Sequence, residues 1–178
     1  MRKGFVWIVC VLCLVLMGCN GDRGKDETQG YVDVQVDYSQ RILFILSELS
    51  YSNGYENKGY FVMGDGKRYF FDLSNEDEKY AEKDILYEYL VSHVSEFSSE
   101  ELLAPEEVKK CIDHLYRVNE DAEITEEFRY AGGGQSDLYG VRYDTESLEL
   151  VWLGTKGAVD KELLDENAES IKSILGED

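Results

Sequence analysis

The chain has very little proline, histidine or cysteine. It contains one proline, Pro105, and two histidines among 178 residues. Cys10, Cys13 and Cys19 lie in the first nineteen residues, so Cys111 is the only cysteine in the remainder of the chain. The part of the chain after residue 19 therefore cannot form an internal disulfide, and its fold must be stabilised by packing. With two histidines, histidine-dependent catalysis has few candidate residues.

Basic charge is also scarce. Lys and Arg number 18 against 37 Asp and Glu, which gives a formal net charge of −19. A field of this sign repels nucleic acids and anionic lipid headgroups, so we expect no nucleic-acid partner. The same charge suits a cationic partner or divalent metal ions, or simply keeps the protein soluble.

Long apolar runs are absent except near the start. Residues 5–17 form an uncharged, apolar-rich stretch of thirteen residues, whereas a membrane-spanning helix needs about 20. The stretch follows Arg2 and Lys3, an arrangement typical of a secretory signal peptide. The basic N-terminal end stays in the cytoplasm, so we expect the remainder of the chain on the extracytoplasmic side of the membrane.

Leu16, Met17, Gly18 and Cys19 end this stretch. Apart from the size of Met17, they resemble the lipobox of a bacterial lipoprotein. The resemblance implies a diacylglycerol on the Cys19 sulfur and cleavage after Gly18. Residues 1–18 would be the signal peptide, 19–30 the lipidated cysteine with a flexible tether, and 31–178 the domain. An ordinary secretory signal and an uncleaved anchor are the alternatives.

Such processing defines the mature protein. Removing residues 1–18 takes away two basic residues and leaves 16 against 37 acidic ones, a formal net charge of −21. The remaining 160 residues are enough for one domain with a core. Two acyl chains give stable membrane attachment. We therefore expect a domain anchored to the cell membrane on its extracytoplasmic side.

Alternating and turn-forming patterns predict strands. Period-two alternation over 32–38 indicates a half-buried strand, while the run 42–49 fits either a strand or a short helix. Asp65 and Gly66 separate 60–63 from 68–72 and predict a hairpin. Residues 124–130, 138–143 and 148–153 are predicted as three further strands.

Three helices are predicted from apolar spacing and caps. Ser74 is a candidate N-cap for a helix whose apolar stripe reaches Phe97. Pro105 suits the first turn of a second helix, and Gly176 suits the end of a third over 159–175. The order of elements predicts an α+β fold: a single compact domain with a mostly antiparallel sheet and three helices packed on one face.

Several residues have metal-binding or phosphate-binding chemistry without the required pattern. His93, Cys111 and His114 fall on two helices where one zinc ion cannot reach all three, and the first two lie in apolar stripes. Residues 119–130 lack the Gly and Glu of a calcium loop. Residues 132–134 are glycines without the Lys of a P-loop. We predict no metal and no cofactor.

Aromatic residues are abundant, with thirteen Tyr and seven Phe. Aromatic rings exposed on a sheet can bind a glycan, a peptide or another protein. Strands also favour aromatic residues for packing alone. The candidate binding residues are Tyr60, Tyr69, Tyr139, Tyr143, Gly133 and Gln135.

We therefore expect a non-enzymatic, lipid-anchored module that binds an envelope protein, a peptide or a glycan. A hydrolase with paired carboxylates is one alternative, because 37 acidic residues always offer pairs. An inhibitor or immunity lipoprotein with an acidic contact surface is another. Residues 64–67 and 138–143 also bear a limited resemblance to small, uncharacterised lipoproteins of Gram-positive bacteria, which implies no activity.

Overall fold

A computed structural model describes residues 37–52, 54–74, 76–129, 134–145 and 147–177 of the protein. The predicted signal peptide, Cys19 and the tether lie outside these residues, as does the predicted strand up to residue 36. Its last residue, Tyr38, belongs to a 3-10 turn, Tyr38–Gln40, so the strand prediction is wrong there.

Among the described residues, eight strands form one sheet, and every pairing between these strands is antiparallel. In chain order they are β1 (Ile42–Ser50), β2 (Glu56–Met63), β3 (Lys67–Asp72), β4 (Ser98–Glu101), β5 (Ile124–Phe128), β6 (Gly134–Tyr143), β7 (Leu148–Gly157) and β8 (Val159–Leu163). Their spatial order is β4-β3-β2-β1-β6-β7-β8-β5, so β1 and β6 meet at the centre. The helices are α1 (Lys83–His93), α2 (Pro105–Leu115) and α3 (Glu166–Leu175). The predicted α+β class is confirmed.

The helices cover both faces of the sheet, which differs from the prediction that all three share one face. Tyr60 and Val62 of β2 pack in a core with residues of α2 and α3. Phe61 and Met63 pack in a second core with Leu86 and other residues of α1. Successive residues of a strand point to opposite faces, so α1 lies across the sheet from α2 and α3.

The two-sided core explains the ambiguous run at 42–49. Residues 42–45 are four consecutive buried apolar residues, which on a half-exposed strand would alternate with polar ones. Because helices cover both faces, no position in this part of β1 needs a polar side chain. The run is therefore a strand, one of the two readings that its sequence allowed.

The predicted β2–β3 hairpin is confirmed. The Gly66 N–H donates to the Met63 carbonyl oxygen at 2.9 Å, and Asp65 Oδ1 accepts from the Lys67 N–H at 3.0 Å. Gly66 has φ +86°, and a Cβ there would lie 2.3 Å from the Leu103 carbonyl oxygen. Backbone conformation and close approach both require glycine at this position.

Two helix starts were predicted too early. Ser74 is not the N-cap of a helix: its N–H donates to Asp72 Oδ1 at 3.1 Å. Helix α1 begins only at Lys83. Residues 159–163 form strand β8, and Asp165 then caps α3 through the N–H groups of residues 167 and 168. Pro105 opens α2 and Gly176 ends α3, as predicted.

Candidate functional site

An open groove crosses β6 and β7 where the cover provided by α1 ends. It has a volume of about 700 Å³ and is lined by residues from the end of β1, from β6 and β7, and from the start of β8. We call this surface the aromatic groove and define it by Tyr51, Gln135, Asp137, Tyr139, Trp152 and Thr155. Its size falls in the range of about 300–1,000 Å³ typical of small-molecule sites.

Register places the aromatic rings side by side. Tyr139 of β6 pairs directly with Trp152 of β7, so both side chains project from the same face. Tyr51, just beyond β1, is 58% exposed, and its ring centroid lies 5.9 Å from that of Tyr55. The rings present both flat apolar surface and polar edges to a ligand.

A hydrogen-bonded chain of side chains forms the polar part of the groove. Trp152 Nε1 donates to Thr155 Oγ1 at 3.1 Å, and the Thr155 hydroxyl donates to Asp137 Oδ1. Gln135 Nε2 donates to Asp137 Oδ2 at 2.7 Å. Asp137 is only 7% exposed, so these bonds hold its carboxylate in one position.

A β-bulge aligns the polar pair with the aromatic pair. Asp137 pairs with Thr155, and Tyr139 pairs with Trp152, with a register shift between residues 138 and 139. Residues 152 and 155 are three apart and would face opposite sides of a regular strand. The extra residue of the bulge restores the alignment, so both side chains line the same groove.

The groove carries negative charge. The pKa of the Tyr139 hydroxyl is raised to about 12, chiefly by burial and in smaller part by the nearby charges of Asp137 and Asp84. Lys83 of α1 stands 5.8 Å from the Tyr139 ring centroid. Lys161, which also lines the groove, is bound to Glu126 Oε1 at 2.8 Å.

Only two of the candidate binding residues with described positions meet in the groove: Tyr139 and Gln135. Tyr60 is buried beneath the opposite face, and its hydroxyl donates to Glu177 Oε1 at 2.6 Å. Tyr143 is buried beneath α1, and its hydroxyl donates to the Ile42 carbonyl oxygen at 2.7 Å. Tyr69 is half-buried, with its ring stacked on Phe61 at 5.1 Å.

Two further candidates, Gly133 and Cys19, lie outside the described residues. Sequence reasoning missed Asp137, Trp152 and Thr155 as site residues. One signal was available: Trp152 and Trp7 are the only tryptophans, and Trp7 lies in the predicted signal peptide. The bulge that brings residues 152 and 155 together leaves no mark in the pattern of residue types.

A smaller cavity of about 170 Å³ lies on the α3 side of the sheet, near three lysines and three glutamates. The Lys172 side chain is 6% exposed and is bound to Glu169 at 2.5 Å and to Glu162 at 3.8 Å. Lys156 Nζ donates to the Glu177 carbonyl oxygen at 2.6 Å. These cations have partners within the protein, so the cavity offers a ligand less unbalanced charge than the aromatic groove.

The buried thiol matches its predicted core position. Cys111 lies on the inner face of α2, and burial raises its pKa from 9.0 to about 12. In the described ranges, no three His, Cys, Asp or Glu residues are grouped so that they could hold a metal ion. None of the described helices is long and apolar enough to cross a membrane.

Comparison with protein-family models, with curated proteins and with solved structures finds no match to this chain.

Proposed function

We propose that the protein is a lipid-anchored binding module of the bacterial cell envelope that holds its ligand in the aromatic groove. The observation that carries the proposal is the direct pairing of Tyr139 with Trp152 beside the hydrogen-bonded pair Asp137 and Thr155. Apolar surface for contact and fixed polar groups for orientation are what ligand sites combine.

The arrangement is held in place before any ligand arrives. Both pairs stand on the adjacent strands β6 and β7 rather than on loops, and hydrogen bonds fix Trp152, Thr155, Asp137 and Gln135. A site that is ordered in advance loses less side-chain entropy on binding. This favours a recognition role for the groove.

The anchor rests on the sequence. Arg2 and Lys3, the apolar stretch 5–17 and the Leu16–Cys19 lipobox together favour export and acylation of Cys19. The tether would then keep the domain within about 20 Å of the membrane surface. A ligand at or near the extracytoplasmic face of the membrane is the expected target.

The hydrolase alternative has less support in the groove. Glycoside hydrolysis by paired carboxylates needs two carboxyl groups about 5–9.5 Å apart across the substrate. Among the described residues that line the groove, Asp137 alone carries a carboxylate. We therefore propose binding, rather than turnover, for this site.

The groove contains its own fluorescent reporter. The processed chain proposed above lacks Trp7, and a Trp7→Phe change in the unprocessed chain likewise leaves Trp152 as the only tryptophan. We expect a saturable change in Trp152 emission when this variant, in detergent, meets its ligand among wall-glycan fragments, neutral oligosaccharides and basic peptides. Tyr51→Ala on the exposed rim should weaken that binding, whereas Tyr69→Phe should not. If no probe changes the emission saturably, the groove is not the binding site.

The anchor has a separate test in living cells. Wild-type protein should incorporate labelled palmitate and fractionate with membranes, and Cys19→Ser should do neither. Cys13→Ser, a matched thiol replacement in the apolar stretch, should behave like the wild type. Unlabelled wild-type protein, or a Cys19→Ser variant that still sediments with membranes unchanged, would disprove lipid anchoring.

A further inference from the structure

The buried carboxylate of the groove has neutral partners. Asp137 accepts hydrogen bonds from the Thr155 hydroxyl and the Gln135 amide, and in the described part of the chain it takes part in no ion pair. By contrast, the equally buried Asp160 is bound to Arg129 Nε at 2.6 Å. A charge held away from water without an opposite charge is costly, and a cation that binds beside it recovers part of that cost.

In the described part of the chain, no lysine or arginine forms an ion pair with Asp137. Lys161, the lysine of the lining, is bound to Glu126 at the edge strand β5. Lys83 stands over the Tyr139 ring, beside Asp84 of the same helix, whose charge also acts on Tyr139. Neither lysine forms an ion pair with Asp137, so its carboxylate has no opposite charge bound to it among the described residues.

The aromatic walls also suit a cation. A cation within about 6 Å of an aromatic centroid is attracted by the ring, most strongly by Trp, and its alkyl stem can pack on the same surface. Lys83 at 5.8 Å shows that Tyr139 already accepts a lysine ammonium on one side. Trp152 and Tyr51 offer further ring surface along the groove.

From the isolated carboxylate and the rings beside it, we propose that the aromatic groove binds an alkylammonium group. The ammonium lies against Asp137, and its aliphatic stem lies on Trp152 and Tyr139. A lysine side chain of a basic peptide and a free polyamine carry this chemistry alike. The net charge of −21 expected for the mature chain attracts either one toward the protein. This inference rests on the proposed binding function and names its ligand class.

The test uses the full-length Trp7→Phe chain in detergent, with Trp152 emission as the readout. Four probes are titrated: tetralysine, tetralysine with every amine acetylated, spermidine, and a neutral tetrasaccharide. We expect saturable binding of tetralysine and none of its acetylated form. Spermidine that binds as well as tetralysine would identify a polyamine as the source of the ammonium, and weaker spermidine binding would identify a peptide.

Variants separate the groove from the general attraction of an acidic protein. Asp137→Asn should weaken tetralysine binding at least about tenfold, because it removes the charge and keeps the shape. Glu101→Gln, which removes one charge from β4 at the far edge of the sheet, should leave binding unchanged. Tyr51→Ala, at a ring that is 58% exposed, should weaken binding about two- to fivefold.

The outcomes also separate this inference from the proposed function. Equal weakening by Asp137→Asn and Glu101→Gln, or equal binding of both tetralysine forms, would overturn the cation site. Saturable binding of the tetrasaccharide alone would overturn it as well and leave the groove as a binding site. No response to any of the four probes would overturn the cation site, and the proposed function would fail as well if the wall-glycan fragments also gave no response.

Discussion

The hydroxyl of Tyr116 is bound twice to the backbone of Tyr143: it donates to the carbonyl oxygen at 2.6 Å and accepts from the N–H at 2.9 Å. It also accepts a hydrogen bond from the Tyr38 hydroxyl at 3.0 Å. Tyr116 follows the last residue of α2, and Tyr143 is the last residue of β6. A single oxygen atom therefore ties a helix end to a strand end.

Tyr116→Phe should lower the free energy of unfolding by about 1–3 kcal/mol, because two backbone groups and one hydroxyl lose their partner. Urea denaturation would measure the change, with an unaltered slope expected. Tyr69→Phe is the matched control, because the Tyr69 hydroxyl has no hydrogen-bond partner among the described residues. This change should lower the free energy of unfolding by less than about 0.5 kcal/mol. Equal costs would mean that the Tyr116 hydroxyl has no special role.

Asn57 is a second fixed point, fully buried between β1 and the segment before α1. Its Oδ1 accepts from the Ser47 hydroxyl at 2.9 Å, and its Nδ2 donates to the Tyr80 carbonyl oxygen at 2.8 Å. Its Nδ2 also donates to the Tyr55 hydroxyl at 3.2 Å. Asn57→Ala should cost about 2–4 kcal/mol in urea denaturation, because all three partners lose this side chain. Asn119→Ala, at an exposed turn, should cost less than about 1 kcal/mol; a similar loss at both positions would contradict the assignment.

Substitutions at two glycines with positive φ would measure the cost of backbone strain apart from the cost of steric overlap. Gly54 has φ +118° with nothing within 4 Å of an added Cβ, whereas Gly66 has φ +86° and would place a Cβ 2.3 Å from a backbone oxygen. Gly54→Ala should cost about 1–3 kcal/mol for strain alone. Gly66→Ala should cost clearly more by thermal or urea unfolding. A Gly66→Ala protein as stable as Gly54→Ala would show that the hairpin can shift away from residue 103.

Cys111 should make the fold sensitive to alkali. Burial raises its folded pKa from 9.0 to about 12. Above pH 9 the unfolded chain loses the thiol proton more readily than the folded one, so the contribution to stability is complete below pH 9 and is lost toward pH 12. Urea unfolding of the wild type across this range should therefore show a steeper loss than unfolding of Cys111→Ala.

The same burial predicts a thiol that does not react in the folded protein. Alkylation at neutral pH followed by mass mapping should leave Cys111 unmodified in the native chain and modify it in urea. The thiolate is the reactive form of cysteine. The raised pKa keeps the Cys111 thiolate scarce at neutral pH, and burial keeps the reagent away from the sulfur, so both oppose labelling. Rapid native labelling of Cys111 would contradict its placement on the inner face of α2.

Local patterns predicted much of the fold. The hairpin at Asp65 and Gly66, the helix start at Pro105 and the helix end at Gly176 each depend on the backbone preference of a residue type, which acts over a few residues. Where tertiary contact decides, prediction failed. Residues 159–163 alternate weakly and lead into a helical stripe, and pairing with β5 makes them a strand.

The distribution of helices between the two faces could not be predicted from local patterns. An apolar stripe such as that of α1 shows that a helix is half-buried but not which face of the sheet it covers. The groove was predictable only in part for a similar reason. Tyr139 and Gln135 were chosen for residue type, and Asp137 shares their face of β6 by simple alternation. Trp152 joins them through strand pairing, and Thr155 through a bulge that depends on that pairing.

In the part of the chain that the structure describes, β4 and β5 are the two open margins of the sheet. Both carry adjacent glutamates: Glu100 with Glu101, and Glu126 with Glu127. An unpaired margin is a template on which another molecule can add its own strand. Each of these glutamates is bound to a Lys or Arg of its own chain, and such charged side chains along an open margin oppose stacking between copies. Tethered side by side on one bilayer, as proposed, these molecules would stay separate despite crowding and keep their grooves open to a ligand.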